Sequence, residues 1–255
     1  MMLTDWVEIQ LFAFLAVFTR LGAAMMFLPG FSETFVTVRS RLLLALAISF
    51  AATPLVAAEI PVLPPDVGGL TLFLFAEATI GIFIGLLARV LFGALATAGT
   101  IIAFQAGLSS AMLFDPSSNQ QNAITGAILS MTGMVLLFVL NLHHVFIIGL
   151  IDSYGLFPAG AIPEPGDMAD TFALMVAQSF ALAMQLAAPF ILLNTAINVA
   201  VGLLARLMPQ LQVFFLILPV QIGLSLIILA LAVAGAMLWF FQSFEAETVG
   251  LFALP

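Results

Sequence analysis

Three ionisable side chains fall inside runs of apolar residues: Arg20, Glu77 and Arg89. A charge at bilayer depth costs about 2.5 kcal/mol or more unless it is paired or hydrated, so each of them needs a partner. Glu77 and Arg89 lie about 18 Å apart along a helix and cannot pair within one straight segment. Arg20, in a different run, is a candidate partner for Glu77. Two readings stand for such a group: an ion pair that fixes helix register, which is the simpler, or a relay for protons or ions. Gly81 and Gly85 follow Glu77 as a GxxxG pattern, which lets a second helix backbone approach closely.

Other reactive types give weaker patterns. His143 and His144 are adjacent, about 100° apart around a helix, and lack the i, i+4 spacing of a chelating pair. No HExxH accompanies them. Ser109 or Ser110 with a histidine base would make an intramembrane serine protease, but small residues near a helix end explain these serines as well. The amides Gln178, Gln185, Asn194 and Asn198 surround Pro189, where a broken polar helix could form a transporter site. Hydrogen bonding between helices is the favoured reading of those amides. With no cysteine in the chain, thiol catalysis, disulfides, Cys-ligated zinc and iron–sulfur clusters are excluded. No catalytic residue, cofactor site or metal site is expected.

The elements that must hold these residues are membrane helices. Of 255 residues 64% are hydrophobic and 7% charged, against roughly 45–50% and 25% in ordinary globular domains. Such a surface must face lipid or other protein. A net charge of -8 with five arginines and no lysine leaves no basic patch for nucleic acid. A spanning helix needs about 20 apolar residues, and six runs qualify: 9–28, 42–58, 70–105, 123–151, 171–205 and 211–241. The third would be roughly 54 Å long if straight, so it must tilt, bend or leave the bilayer. Pro189 and Pro219 favour kinks in the fifth and sixth. The fold class is therefore all-α, about six long, kinked hydrophobic helices in one membrane domain. Met1 to Gln10 carries Asp5 and Glu8 where a signal peptide needs positive charge, so this stretch reads as retained.

Orientation follows from the arginines, which favour the cytoplasm when they flank a segment. Arg39 and Arg41 separate the first two runs, and Arg206 with Pro209 and Gln210 forms the turn between the last two. The N-terminus, residues 59–69, the acidic stretch 152–170 and the tail with Glu245 and Glu247 hold acids and no basic residue. Both termini then face the periplasm. Residues 107–122 are too polar for a helix in lipid. Asp115-Pro116 suits the start of a type I turn. The stretch is either a cytoplasmic solvent loop or, at membrane depth, a loop facing an aqueous cavity.

The order and spacing of several strings resemble the FliR family, the integral membrane subunit of the flagellar type III export gate, whose virulence relatives are called SctT. The strings are the Arg20 segment leading to Pro29, Val38-Arg39-Ser40-Arg41 with Pro54 beyond, and Glu77 with Gly81 and Gly85. They continue through Gln105-Ala106-Gly107-Leu108, Asp115-Pro116 and His144. The most specific is Arg206 to Phe214 ahead of Pro219. The resemblance covers nearly the whole chain and implies a non-enzymatic subunit of the bacterial inner membrane, at the flagellar basal body. Its helices would stand as hairpins in a hetero-oligomeric gate. The implied partners are FliP-like and FliQ-like subunits, FlhB-like and FlhA-like export proteins, and unfolded flagellar substrates in transit. It further implies a FliP-like half, 1–151, and a FliQ-like half, 171–255, joined by 152–170. The matching loop of FliR-type proteins is described as a plug across the closed channel. That implies Met112, Leu113 and Phe114 as an apolar seal, Asp115 and Pro116 as its turn, and Ser117, Ser118 and Asn119 as backbone-satisfying residues. The alternatives are a virulence injectisome gate subunit and a secondary transporter with a polar site in the fifth run.

Overall fold

The computed structural model describes residues 3–107, 124–207 and 213–252, and every regular element among them is helical. In chain order these are α1 (Leu3–Met25), α2 (Val38–Val56), α3 (Val67–Phe92), α4 (Ala94–Gln105), α5 (Ile124–Val139), α6 (Leu142–Leu156), α7 (Pro165–Leu207) and α8 (Val213–Phe252), with one 3₁₀ turn at Ala57–Glu59. Among the described residues five helices are long and apolar enough to cross a membrane, or six if α5 and α6 count as one broken span.

Local chemistry sets several helix ends. Thr37 caps α2, its side chain accepting the Ser40 N–H at 3.2 Å. Asp66 precedes α3 and accepts the Gly69 N–H at 2.8 Å; each bond satisfies a donor that the first helical turn leaves open. Pro165 opens α7, where its missing N–H costs nothing. The third run divides at Gly93 into α3 and α4. The fourth run is two helices rather than one, because Asn141 turns left-handed (φ 58°). The acidic stretch expected over 152–170 is largely helical: α6 extends to Leu156 and α7 starts at Pro165, leaving 157–164 as the connection. Pro189 and Pro219 lie inside continuous helices of 43 and 40 residues, each about 60 Å long or more and roughly twice a hydrocarbon core.

Two compact units interleave along the chain. The first comprises residues 1–92, 136–176 and 244–255, the second 93–135 and 177–243. In the first, Phe12 and Phe73 pack at 5.0 Å between ring centroids, with Ala16 beside them and Ile60, Leu70 and Ala159 against them. Phe12 meets Phe73, and Arg20 and Ala24 meet Gly81 and Gly85, so α1 and α3 run parallel. In the second unit α4 and α5 touch closely: Thr125 Oγ1 donates to the Gly99 carbonyl at 2.6 Å, and the Gly126 backbone lies where a Gly99 side chain would stand.

Candidate functional site

Arg20 and Glu77 meet at the centre of the first unit. Arg20 Nε donates to Glu77 Oε2 at 2.8 Å and Nη2 to Oε1 at 3.1 Å, a two-point contact with both side chains at 0% exposure. Such forked pairing is among the strongest hydrogen-bonded ion pairs. Further partners complete it. Arg20 Nη1 donates to Ser153 Oγ (3.1 Å) and Nη2 to the Phe157 carbonyl (3.0 Å), and the guanidinium lies 3.6 Å from the centre of the Tyr154 ring. Glu77 accepts from Tyr154 Oη at 3.1 Å and from the Gly160 N–H at 2.8 Å.

The stripe that presents Glu77 also carries Gly81 and Gly85. A Cβ at Gly81 would run into the Arg20 carbonyl, and one at Gly85 would stand 2.6 Å from the Ala24 carbonyl. The absent side chains let α1 approach near enough for Arg20 to reach Glu77. Gly160 has φ 77°, and a side chain there would strike the Phe73 ring, so the connection after α6 can press its N–H onto the carboxylate. The node thus ties α1, α3, α6 and the 157–164 connection together. A fully paired carboxylate that solvent does not reach suits a fixed pin better than a relay.

Arg89 lies elsewhere than its position in an apolar run suggests. It is exposed, and its Nη1 donates to Ser32 Oγ at 2.8 Å in the connection between α1 and α2. Arg41 holds the same connection through the carbonyls of Phe31 (2.7 Å) and Glu33 (3.3 Å). The Phe31 ring packs on Phe138 at 6.1 Å, and Phe138 on His143 at 5.1 Å; His144 stacks on His143 at 4.1 Å. Arg39, Arg41, Arg89, His143 and His144 therefore share one end of the first unit. Glu59 and Asp66 flank the opposite end, where Ile60 packs against Phe12 and Phe73. The histidines could not be placed with the arginines from spacing, because they lie far apart in the chain, on α6 against α2 and α3. Glu164 and Asp167 line a cavity of about 210 Å³ with Phe83, a residue well inside α3. Both carboxylates are exposed.

In the second unit the amides close into a triad. Asn194 Nδ2 donates to Gln105 Oε1, while Gln221 Nε2 donates to the Gln105 carbonyl (2.7 Å) and to Asn194 Oδ1 (2.8 Å). It joins α4, α7 just past Pro189 and α8 just past Pro219. Asn198 and Gln185 are exposed, and Gln178 Oε1 is buried without a hydrogen-bond partner. Sequence reasoning had singled out Asn194 but not Gln221 as its partner. Arg206 is exposed in the last turn of α7. Pro209, Gln210, residues Met112 to Asn119, and Ser109 and Ser110 lie outside the described residues. Among the described residues no group of three or more His, Cys, Asp or Glu could hold a metal ion.

Comparison with known proteins gives a consistent picture. Residues 11–246 match the family described as bacterial export proteins, family 1. The flagellar biosynthetic protein FliR of Caulobacter vibrioides is 38% identical over 90% of this chain and 92% of its own. That of Escherichia coli is 34% identical over 87% and 84%. The Yop proteins translocation protein T of Yersinia pestis is 27% identical over 90% and 89%.

Proposed function

The chain belongs to the family of bacterial export proteins, family 1, and from that membership we propose that it is a channel-forming subunit of the flagellar type III protein export gate. It acts as a structural component and not as an enzyme. The observation that carries this reading is the likeness to flagellar FliR proteins along nearly their whole length. The weaker likeness to a Yop translocation protein supports an injectisome gate as the second reading. The partners are FliP-like and FliQ-like subunits, with FlhB-like and FlhA-like proteins completing the apparatus, and unfolded flagellar proteins pass through. Residues 1–151 are FliP-like and 171–255 FliQ-like in origin, a statement about ancestry rather than about the interleaved packing.

The protein resides in the inner membrane with both termini periplasmic. Charge segregation in the first unit supports this orientation for the N-terminus: three arginines gather at one end of the unit and Glu59 and Asp66 at the other, as expected when basic residues stay on the cytoplasmic side. Exposed Glu164 and Asp167 beside Phe83 argue that lipid hydrocarbon does not surround this level of the first unit. Part of the apolar surface is then covered by partner subunits or stands above the bilayer. Helices about twice as long as a hydrocarbon core fit the same reading.

Residues 112–119 act as the plug, with Met112, Leu113 and Phe114 sealing by excluding water. The test is ion conductance of the assembled complex with and without residues 109–121. Deletion should leave assembly intact, raise small-ion leakage and slow growth when all partners are present. Normal assembly with no added conductance would refute the seal.

A further inference from the structure

We propose that the basic end of the first unit binds the phosphate headgroup of an anionic phospholipid. Four of its five basic side chains are tied to one another through a single connection. Arg41 Nε lies on the Phe31 carbonyl, Arg89 Nη1 on the hydroxyl of the next residue, Ser32, and the Phe31 ring leads through Phe138 to His143 and His144. Consecutive Cα atoms are about 3.8 Å apart, so the Arg41 and Arg89 guanidinium groups are anchored to neighbouring points. The fifth, Arg39, is two residues from Arg41, exposed, and has no hydrogen-bond or ionic partner among the described residues.

The donors are unevenly used. Arg41 spends its contacts on two carbonyls and so shapes the connection. Arg89 has one bond, to Ser32, so its exposed side chain keeps further N–H donors without a partner among the described residues, and Arg39 has its full fork. Both groups can donate to phosphate oxygens while their charge attracts the anion. The nearby acid is Glu33, whose backbone carbonyl rather than its carboxylate meets Arg41. Glu247 lies with Ala88 and Leu91, on the buried face of α3 rather than the exposed face that carries Arg89.

Lipid is the occupant that the flanking surface favours. Phe35 and Val38 are 69% and 74% exposed, and Met26 and Leu42 are also exposed around the same connection. An aromatic and aliphatic rim beside guanidinium groups is the arrangement of a membrane interface, where acyl chains take the apolar side and phosphate the charge. An acidic protein segment would satisfy the arginines but would leave the rim in water.

The test uses the assembled complex, purified in mild detergent and stripped of lipid. Phosphatidylglycerol and phosphatidylcholine are titrated separately, with retained lipid read by native mass spectrometry. Intact protein should prefer phosphatidylglycerol by at least about twenty-five-fold, and each arginine removed should weaken it by about fivefold. Arg39→Gln with Arg89→Gln should therefore lose about twenty-five-fold while phosphatidylcholine binding stays unchanged. Arg39→Lys with Arg89→Lys should retain most of the preference, which shows that charge and not fold is being read. Arg41 is left intact because it holds the connection. Equal binding of the two lipids, or undiminished phosphatidylglycerol in the glutamine variant, would overturn the proposal. Full competition by millimolar inorganic phosphate would overturn it in favour of a free-anion site. Cross-linking from position 39 to an acidic stretch of another subunit would overturn it in favour of a protein contact.

Discussion

Replacing Glu77 with leucine leaves the Arg20 guanidinium buried, with its two-point contact gone and only Ser153 and the Phe157 carbonyl as hydrogen-bond partners. Breaking a buried pair from one side costs about 3–5 kcal/mol, because an uncompensated charge remains. Arg20→Met should cost a similar amount, leaving the carboxylate with the Tyr154 hydroxyl and the Gly160 N–H. The double variant removes both charges. It still strands the Gly160 N–H, the Phe157 carbonyl and the Tyr154 hydroxyl, neutral groups that cost about 1–3 kcal/mol each at most. At mid-range, about 8 kcal/mol for the two singles together against about 6 for the double, the double variant should be less destabilised than the sum of the singles by about 2 kcal/mol, within the range of coupling between contacting residues. Unfolding of the purified protein in mixed micelles of denaturing and mild detergent, run on all four proteins, gives that coupling. Additivity within about 0.5 kcal/mol would show that the pair does not hold the fold.

Three further expectations follow from the same geometry. Gly81→Val should push α1 from α3 and cost about 1–3 kcal/mol in the same assay, as overpacking does; an unchanged unfolding curve would contradict the close approach. Single cysteines at Asp66 or Glu164 should react with an impermeant thiol reagent from the periplasm and one at Gln210 should not, and reversed labelling would overturn the orientation. Asn194→Leu, which strands Gln105 Oε1 and loosens Gln221, should destabilise by about 1 kcal/mol, whereas Asn198→Leu at an exposed position should not; equal effects would refute the triad.

The helical class was legible because apolar runs of spanning length admit no other backbone in lipid. The break at Asn141 was not, since a left-handed residue inside an apolar run leaves no gap in hydropathy. Glu77 announced that it needed a partner through the cost of its charge, and Arg20 was nameable as the candidate. Ser153, Tyr154 and Gly160 were not, because ordinary residue types so distant in the chain reach the Arg20–Glu77 pair only through the fold. The partner of Arg89 was hidden as well. Its run continues into α4, and nothing local reveals that the connection carrying Ser32 passes beside it. Pro189 and Pro219 were legible as bend points and fall inside continuous helices of 43 and 40 residues, which a proline can kink without ending.

The central claim is that this chain is built to be one member of an assembly of unlike subunits, and its composition in mild detergent tests that most directly. Native mass spectrometry of the tagged protein, expressed with its neighbouring export components, should find it bound to FliP-like and FliQ-like chains in a fixed ratio. A homogeneous monomer that moves a small solute across liposomes would contradict the account and return the polar site in α7 to a transporter.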